Sequence, residues 1–328
     1  MPQKRERWIE GIRYLLERAG FYVADTHGVR PSSFDLAARR DATLLLLKVL
    51  KNIDALDAEE ANRLAELGRL FPAVVLVVGQ TSGVSELEAG VVYTRYGVPI
   101  VTLETLQEYL EKAVPPYLYA SPGGTFAPVD GDRLRELRIA HALSLGTLAA
   151  VAGVSRRAIQ LYEDGAGAEV TVIERIERYL GEPIVRAIQL FEIPRAPPGS
   201  ATEPDVPPPR AAGDRPLPGT GDPWRDDVLE RLGDIGLEVT VTARAPFDAL
   251  ARTPDILLAA LGSLRTALHR AEVLHGLARV AEGHALFVVR EQVHRPSIAG
   301  LPILSISELR RHRDRDDLLE DLSERESP

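Results

Sequence analysis

The chain contains no cysteine, a single methionine and only 5% aromatic residues. Without cysteine, disulfides, thiolate metal sites and cysteine nucleophiles are all excluded. Any core must be built from aliphatic side chains. No apolar run approaches the roughly 20 residues that span a bilayer, and the charged N-terminus does not read as a signal peptide. A soluble protein in the cytoplasm, with no membrane partner, is therefore expected. The 7 histidines are scattered without metal-ligand spacing, and no glycine-rich loop follows a strand in the manner that cradles a phosphate. Neither a cofactor nor a bound metal is expected. An excess of basic charge is missing too: 39 Lys and Arg stand against 48 Asp and Glu, a net charge of −9. That balance argues against a general nucleic-acid coat, which rests on neutralising phosphates, but a specific binder needs only a local basic face.

What is present is a long chain with clear punctuation. Its 328 residues suit two or three domains. Strands alternating with helices over residues 1–114 indicate an α/β domain, with Thr43 to Leu50 a strand buried on both faces and Ala58 to Leu70 a helix. A hairpin connector through Pro122-Gly123-Gly124 follows at 115–129 and has a second reading as a wing against DNA. An all-α domain is expected at 130–193. Residues 194–223 shift to Pro, Gly, Ala and Asp, the composition of an extended linker. A second α/β domain at 224–317 and a frayed acidic tail at 318–328 complete the division.

The all-α domain centres on residues 143–165, two short helices joined by a tight turn. Leu148, Ala149, Ala152, Val154, Ile159 and Tyr162 recur at helical spacing, so one face of each helix can meet the other. Gly153 supplies the turn, and Ser155 can cap the second helix. Arg156 and Arg157 follow directly, with Gln160 one turn on. Two guanidinium groups and an amide on a first turn suit phosphates and base edges in a major groove. The order Val154-Ser155-Arg156-Arg157, then Ile159, Tyr162, Glu163 and Gly165, resembles the helix-turn-helix of the Cro/C1 (Xre) repressor family over residues 130–192. That resemblance implies double-stranded DNA as partner and Ser155, Arg156, Arg157, Gln160 and Leu161 as contacts. Arg135 and Arg138 on the preceding helix would position the backbone, or simply form a solvated face. Leu145 stands where the family usually carries a Gln that touches DNA, and Leu161 could meet only a thymine methyl. A helical protein-interaction module with the same core is the alternative.

The segment after the linker repeats the first domain. Trp8 with its helix and Gly20 correspond to Trp224 and Gly236, Phe34-Asp35 to Phe247-Asp248, Leu44–Leu47 to Ile256–Ala259, and Gly97-Val98-Pro99 to Gly300-Leu301-Pro302. Internal duplication is the economical explanation. The element order, with Phe34-Asp35 opening one strand and Lys48 ending a leucine-rich next one, resembles the restriction-endonuclease-like (PD-D/E-x-K) fold. That chemistry needs two carboxylates and a lysine around Mg²⁺. Asp35 and Lys48 match, but Leu46 stands where the second acid belongs, and the second copy keeps only Asp248. Both copies therefore read as scaffolds without catalytic residues.

The whole arrangement resembles an archaeal family of HTH-type transcriptional regulators. Phe34-Asp35-Leu36-Ala37-Ala38-Arg39-Arg40, Leu47–Asp54 and Gly90–Pro99 carry that likeness in the first domain. The expected architecture is two restriction-endonuclease-like α/β domains bracketing a Cro/C1-type helix-turn-helix bundle. The expected function is sequence-specific regulation of transcription by a homodimer, its α/β domains dimerising or sensing a protein partner or effector. Two alternatives stay open. One is a Mg²⁺-dependent nuclease that borrows an acid such as Glu10 or Asp54, and the other is a non-catalytic assembly protein.

Overall fold

The computed structural model describes residues 2–26, 29, 32–192, 220–252 and 255–326. Most of the expected linker lies outside them. The first stretch forms α1 (Pro2–Arg18), β1 (Tyr22–Asp25), β2 (Leu36–Arg40), β3 (Thr43–Asn52), α2 (Ala58–Leu70), β4 (Val74–Ser82), β5 (Ser85–Glu86), β6 (Val91–Arg95), β7 (Val98–Val101) and α3 (Leu103–Lys112). A hairpin of β8 (Leu118–Ser121) and β9 (Gly124–Ala127) leads to α4 (Gly131–Ala140), α5 (Leu145–Ala152), α6 (Arg156–Glu163), β10 (Ala168–Glu169) and α7 (Val170–Leu180). The last stretch forms α8 (Pro223–Asp234), β11 (Glu238–Val241), β12 (Ala249–Arg252), β13 (Ile256–Gly262), α9 (Leu264–Ala281), β14 (His284–Val289), β15 (Ser297–Ile298), β16 (Leu301–Ser305), α10 (Ile306–Leu309) and α11 (Arg315–Glu326). Two compact units result: Met1–Val49, Asn62–Val75 and Ala196–Pro328 make one, and Leu50–Ala61 with Leu76–Arg195 the other. Among the described residues no helix is long and apolar enough to cross a membrane.

In the first unit β1, β2 and β3 form an antiparallel meander, with Tyr22 opposite Arg39 and Leu36 opposite Leu47. Leu44 to Leu47 are all buried, as the lack of polar alternation in β3 requires. Ile12, Leu15 and Leu16 of α1 are buried, and α1 packs on β1 and β2. The C-terminal stretch builds its own sheet. There β11, β12 and β13 are antiparallel, β13, β14 and β16 are parallel, and β15 edges β16. Parallel pairing of β13 with β14 needs a crossover, which α9 supplies. Residues 318–326, expected as a frayed tail, belong to the packed helix α11, because Leu318 and Leu322 enter the core with 0% exposure.

In the second unit β4 pairs parallel with β7, and β7 pairs antiparallel with β6. The hairpin expected around Pro122-Gly123-Gly124 is present. Its first strand, β8, runs parallel to β6, while β9 pairs with β10 next to the helices. Tyr119 and Phe126 stack across it at 5.9 Å, and Ala127 is buried among the helices. Those helices enclose Leu134, Leu137, Leu148, Ala149, Ala152, Ile159, Val172, Ile173 and Ile176. At roughly 1.5–3 kcal/mol for each fully buried large aliphatic side chain, this core can hold a small bundle together.

Candidate nucleic-acid interface

The central pair of helices is set by its caps. Ser144 accepts from the Thr147 amide at 3.0 Å and opens α5; Ser155 accepts from the Ala158 amide at 3.1 Å and opens α6. Between them Gly153 adopts φ 69° and ψ 33°, the left-handed conformation that costs most residues energy and glycine little. The turn is also crowded, since a Cβ at Gly153 would lie 2.6 Å from Arg175 Nη1. Leu148, Ala152 and Ile159 fill the angle between α5 and α6.

That packing leaves one side of α6 outside. Ser155, Arg156, Arg157, Gln160 and Leu161 are all exposed, Leu161 to 48%. Among the described residues no carboxylate lies within ion-pair distance of Arg156 or Arg157. Arg156 lies over Gly146 at the start of α5, where a Cβ would come within 2.7 Å of its Nε. The first turns of both helices are thereby brought side by side. Tyr162 faces inward, and burial, followed by the nearby Glu169, raises its hydroxyl pKa. It is a packing residue with a protonated hydroxyl.

Arg138 is placed differently from the sequence expectation. Its guanidinium grips Glu163 (Nη2 to Oε2, 3.0 Å) and donates to the Leu143 carbonyl at 3.1 Å. Only 15% of the Arg138 side chain and 5% of Glu163 are exposed. The bond to Glu163 raises the Arg138 pKa further, against desolvation. Arg135 reaches the same carboxylate at 3.4 Å and Asp164 at 3.3 Å. Arg138 is thus consumed by the fold, because a buried carboxylate needs a paired cation. Glu163 is the residue that sequence reasoning missed. It sits four residues after Ile159, on the stripe that faces inward, and that spacing was the available signal. Gly131 permits the close approach, since a Cβ there would lie 2.4 Å from the Glu163 carbonyl oxygen.

The nuclease-like positions are equally legible. Asp35 is 8% exposed, and its two oxygens accept from Arg5 Nη2 at 2.7 and 2.8 Å. Oδ2 also accepts from the Val49 amide at 2.8 Å. Lys48 Nζ donates to the Ser32 carbonyl at 3.0 Å, and Leu46 is buried. A Mg²⁺ site would need free carboxylate oxygens and a second acid. Here a guanidinium already lies on the carboxylate, the second acid is an aliphatic chain, and the described residues hold no cluster of three His, Asp or Glu. The donor set does not fit the ion. Glu10 is exposed on α1 and makes no bond to this group, while Asp54 accepts from the Gly83 amide and from Arg95. Asp248 repeats the pattern: it accepts from Arg225 and from the Leu261 amide, each at 2.8 Å.

Residues 5–116 match the PD-(D/E)XK superfamily domain, and residues 134–186 match a helix-turn-helix family. A protein of Halorubrum lacusprofundi is 36% identical over 93% of this chain and 92% of its own length. One of Methanocella arvoryzae is 37% identical over 98% of this chain and 97% of its own. One of Thermoplasma acidophilum is 33% identical over 99% of each. All three bear the name "Putative HTH-type transcriptional regulatory protein". No solved structure matches. An α/β domain of nuclease type followed by a helix-turn-helix, shared end to end with these relatives, places the chain in the archaeal family of HTH-type transcriptional regulatory proteins.

Proposed function

We propose that the chain is a sequence-specific double-stranded-DNA-binding regulator that lays α6 in the major groove. The observation that carries this reading is the pair of exposed guanidinium groups, Arg156 and Arg157, without an acid partner among the described residues, on the first turn of a helix whose opposite face is locked into a core. Gln160 and Leu161 extend the surface by one turn, and Ser155, whose hydroxyl caps the helix, borders it. Arg138 leaves the proposed contact set because Glu163 and Leu143 occupy it. Two copies acting as a homodimer would read paired half-sites about one helical turn apart.

The flanking α/β modules act as scaffolds for pairing or sensing, without cleavage. Arg5 on Asp35 supports this reading, since a permanent cation holds the place where the fold would put a metal. The second module, residues 224–317, reads as a copy of the first. In both, a Thr hydroxyl donates to the Phe carbonyl before the aspartate (Thr26 to Phe34, Thr242 to Phe247), and the aspartate amide donates to the next strand (Asp35 to Leu47, Asp248 to Ala259). One pairing shifts: Arg225, beside Trp224, meets its aspartate from a position one turn nearer the end of its helix than Arg5. Past that arginine, the first helix of the N-terminal module runs about one turn longer than α8.

Fluorescence anisotropy on genomic duplex fragments, across a salt series and then with Mg²⁺, tests the proposal. Wild type should bind tightly and leave the DNA intact, and Arg156→Ala/Arg157→Ala should lose the binding. Equal affinity in the double variant would remove α6 from the interface. Cut DNA that depends on Asp35 would make the protein an enzyme.

A further inference from the structure

We infer that the two α/β modules pair with each other about an approximate two-fold axis inside one chain, so that the C-terminal module is the built-in partner of the N-terminal one. The inference rests on reading the second module as a copy of the first. Its own evidence is an exchange of equivalent contacts. Arg39 lies four residues after Asp35 at the end of β2, and Arg252 lies four residues after Asp248 at the end of β12. Arg39 donates to the carbonyls of Val280 and Ala281, the last residues of α9, and pairs with Glu282 at 3.0 Å. Arg252 donates to the carbonyls of Arg69 and Leu70, the last residues of α2, at 3.4 and 3.3 Å. Each module thus sends the same arginine to the end of the other module's helix between its third strand and the strand that follows.

A helix terminus explains why arginine does this. The last carbonyls of a helix have no partner within it and carry the negative end of the dipole, so a guanidinium satisfies both needs at once. Reciprocal contacts between equivalent residues are what a two-fold interface produces, and a chance packing of unlike surfaces has no reason to produce them. The contact extends beyond the arginines. The Ser33 amide donates to the Arg244 carbonyl at 2.7 Å, Phe71 meets Phe247 edge-on at 5.7 Å, and Arg279 covers the Tyr22 ring at 4.7 Å. Gly276 of α9 lets the helix come close to β1, where a Cβ would sit 3.3 Å from that of Ala24. Symmetry is kept at the arginine positions; it is lost at the residue after each helix, which is Phe71 on one side and Glu282 on the other, and along the helices themselves, since α9 packs on β1 and β2 whereas α2 meets the C-terminal strands chiefly at its end.

One consequence is that this pairing face is used up within each chain. Two copies on DNA must then be joined elsewhere, and each copy carries one reading helix per pair of modules. The test nicks the folded full-length protein. A protease site is placed in the Pro-rich stretch 194–219, the protein is cut, and the pieces are followed by size exclusion with light scattering at micromolar concentration. The two pieces should stay together. Arg39→Ala and Arg252→Ala should each weaken the association by about tenfold, the scale of one charge-assisted hydrogen bond. Pieces of the uncut-competent wild type that separate on nicking would overturn the inference, whatever the variants do. An effect from only one arginine would also overturn it, leaving an interface without two-fold character. The repeat reading fails by a different measurement: Asp248→Ala would leave the stability of the C-terminal piece unchanged.

Discussion

Arg156 and Arg157 stand in solvent at the head of α6, whereas Arg5 and Arg225 are folded onto Asp35 and Asp248. The same side chain does opposite work in the two regions. In each α/β stretch an arginine neutralises a carboxylate, and the carboxylate in return orders a strand by accepting an amide. In the helical bundle Glu163 takes up Arg138 and part of Arg135, and this leaves the next arginines along the chain without an acid. The lesson is that counting basic residues misleads: only cations left without a buried acid can meet phosphate. That is how a chain of net charge −9 can still present a local basic face on α6.

The comparison breaks most visibly if the internal pairs are dispensable. Asp35→Ala strands Arg5 and the Val49 amide, and should cost about 3–5 kcal/mol, the scale of removing one partner from a buried pair. Asp248→Ala should cost less, because that pair is more open, with side-chain exposures of 34% and 17% against 29% and 9%. Urea unfolding of both variants measures the order. Equal and negligible losses would return Asp35 to the status of an idle catalytic remnant. Glu163→Ala should follow at about 2–3 kcal/mol, by the loss of a hydrogen bond to a charged group and the exposure of Arg138 to an apolar surround. It should weaken DNA binding as well, since α6 is tied to α4 through this carboxylate. A stability loss with unchanged affinity would mean that α5 alone fixes the angle of α6.

Much of this was readable in the residues, for identifiable reasons. The α5–α6 turn was legible because its signals are local: periodic apolar residues, a glycine at positive φ and a serine cap. The departure of the nuclease-like site from the metal-binding pattern was legible at Leu46, where an aliphatic residue stands in place of the second acid. Arg5 was not, because its partner lies 30 residues away and only the fold brings them together. Arg138 was misread for the same reason: exposure depends on Glu163, 25 residues on, whose burial contradicts its charge. The burial of α11 depends on Leu318 and Leu322, two apolar residues in an acidic stretch that composition alone reads as solvated.

Gly153→Ala gives a smaller and sharper probe of the same contrast. A methyl at φ 69° costs about 1–2 kcal/mol for backbone reasons, and its clash is with the flexible end of Arg175, which can move. Thermal unfolding should therefore drop modestly. DNA affinity should fall by no more than the change in folded fraction if Arg175 is only a neighbour of the turn, and by more if its displacement disturbs the interface.

The smallest effect separates permanent pairs from titrating ones. Arginine pairs hold their charge across the working range, but α11 is held partly by a histidine. His284 lies 3.6 Å from Glu326. Glu326 raises the His284 pKa above its ordinary 6.5, against the effect of burial. A raised value in the folded state means that the charged form is favoured by folding. Its contribution is therefore complete below about pH 6.5 and disappears as pH rises through the raised value. Hydrogen exchange in α11 should accordingly quicken, beyond the intrinsic base dependence, between slightly acid and mildly alkaline pH. Glu326→Gln should flatten that dependence while leaving the exchange of β2 and β3, held by Arg5 and Asp35, unchanged. If α11 in the variant kept the wild-type pH profile, the contact between His284 and Glu326 would not be the source of that dependence.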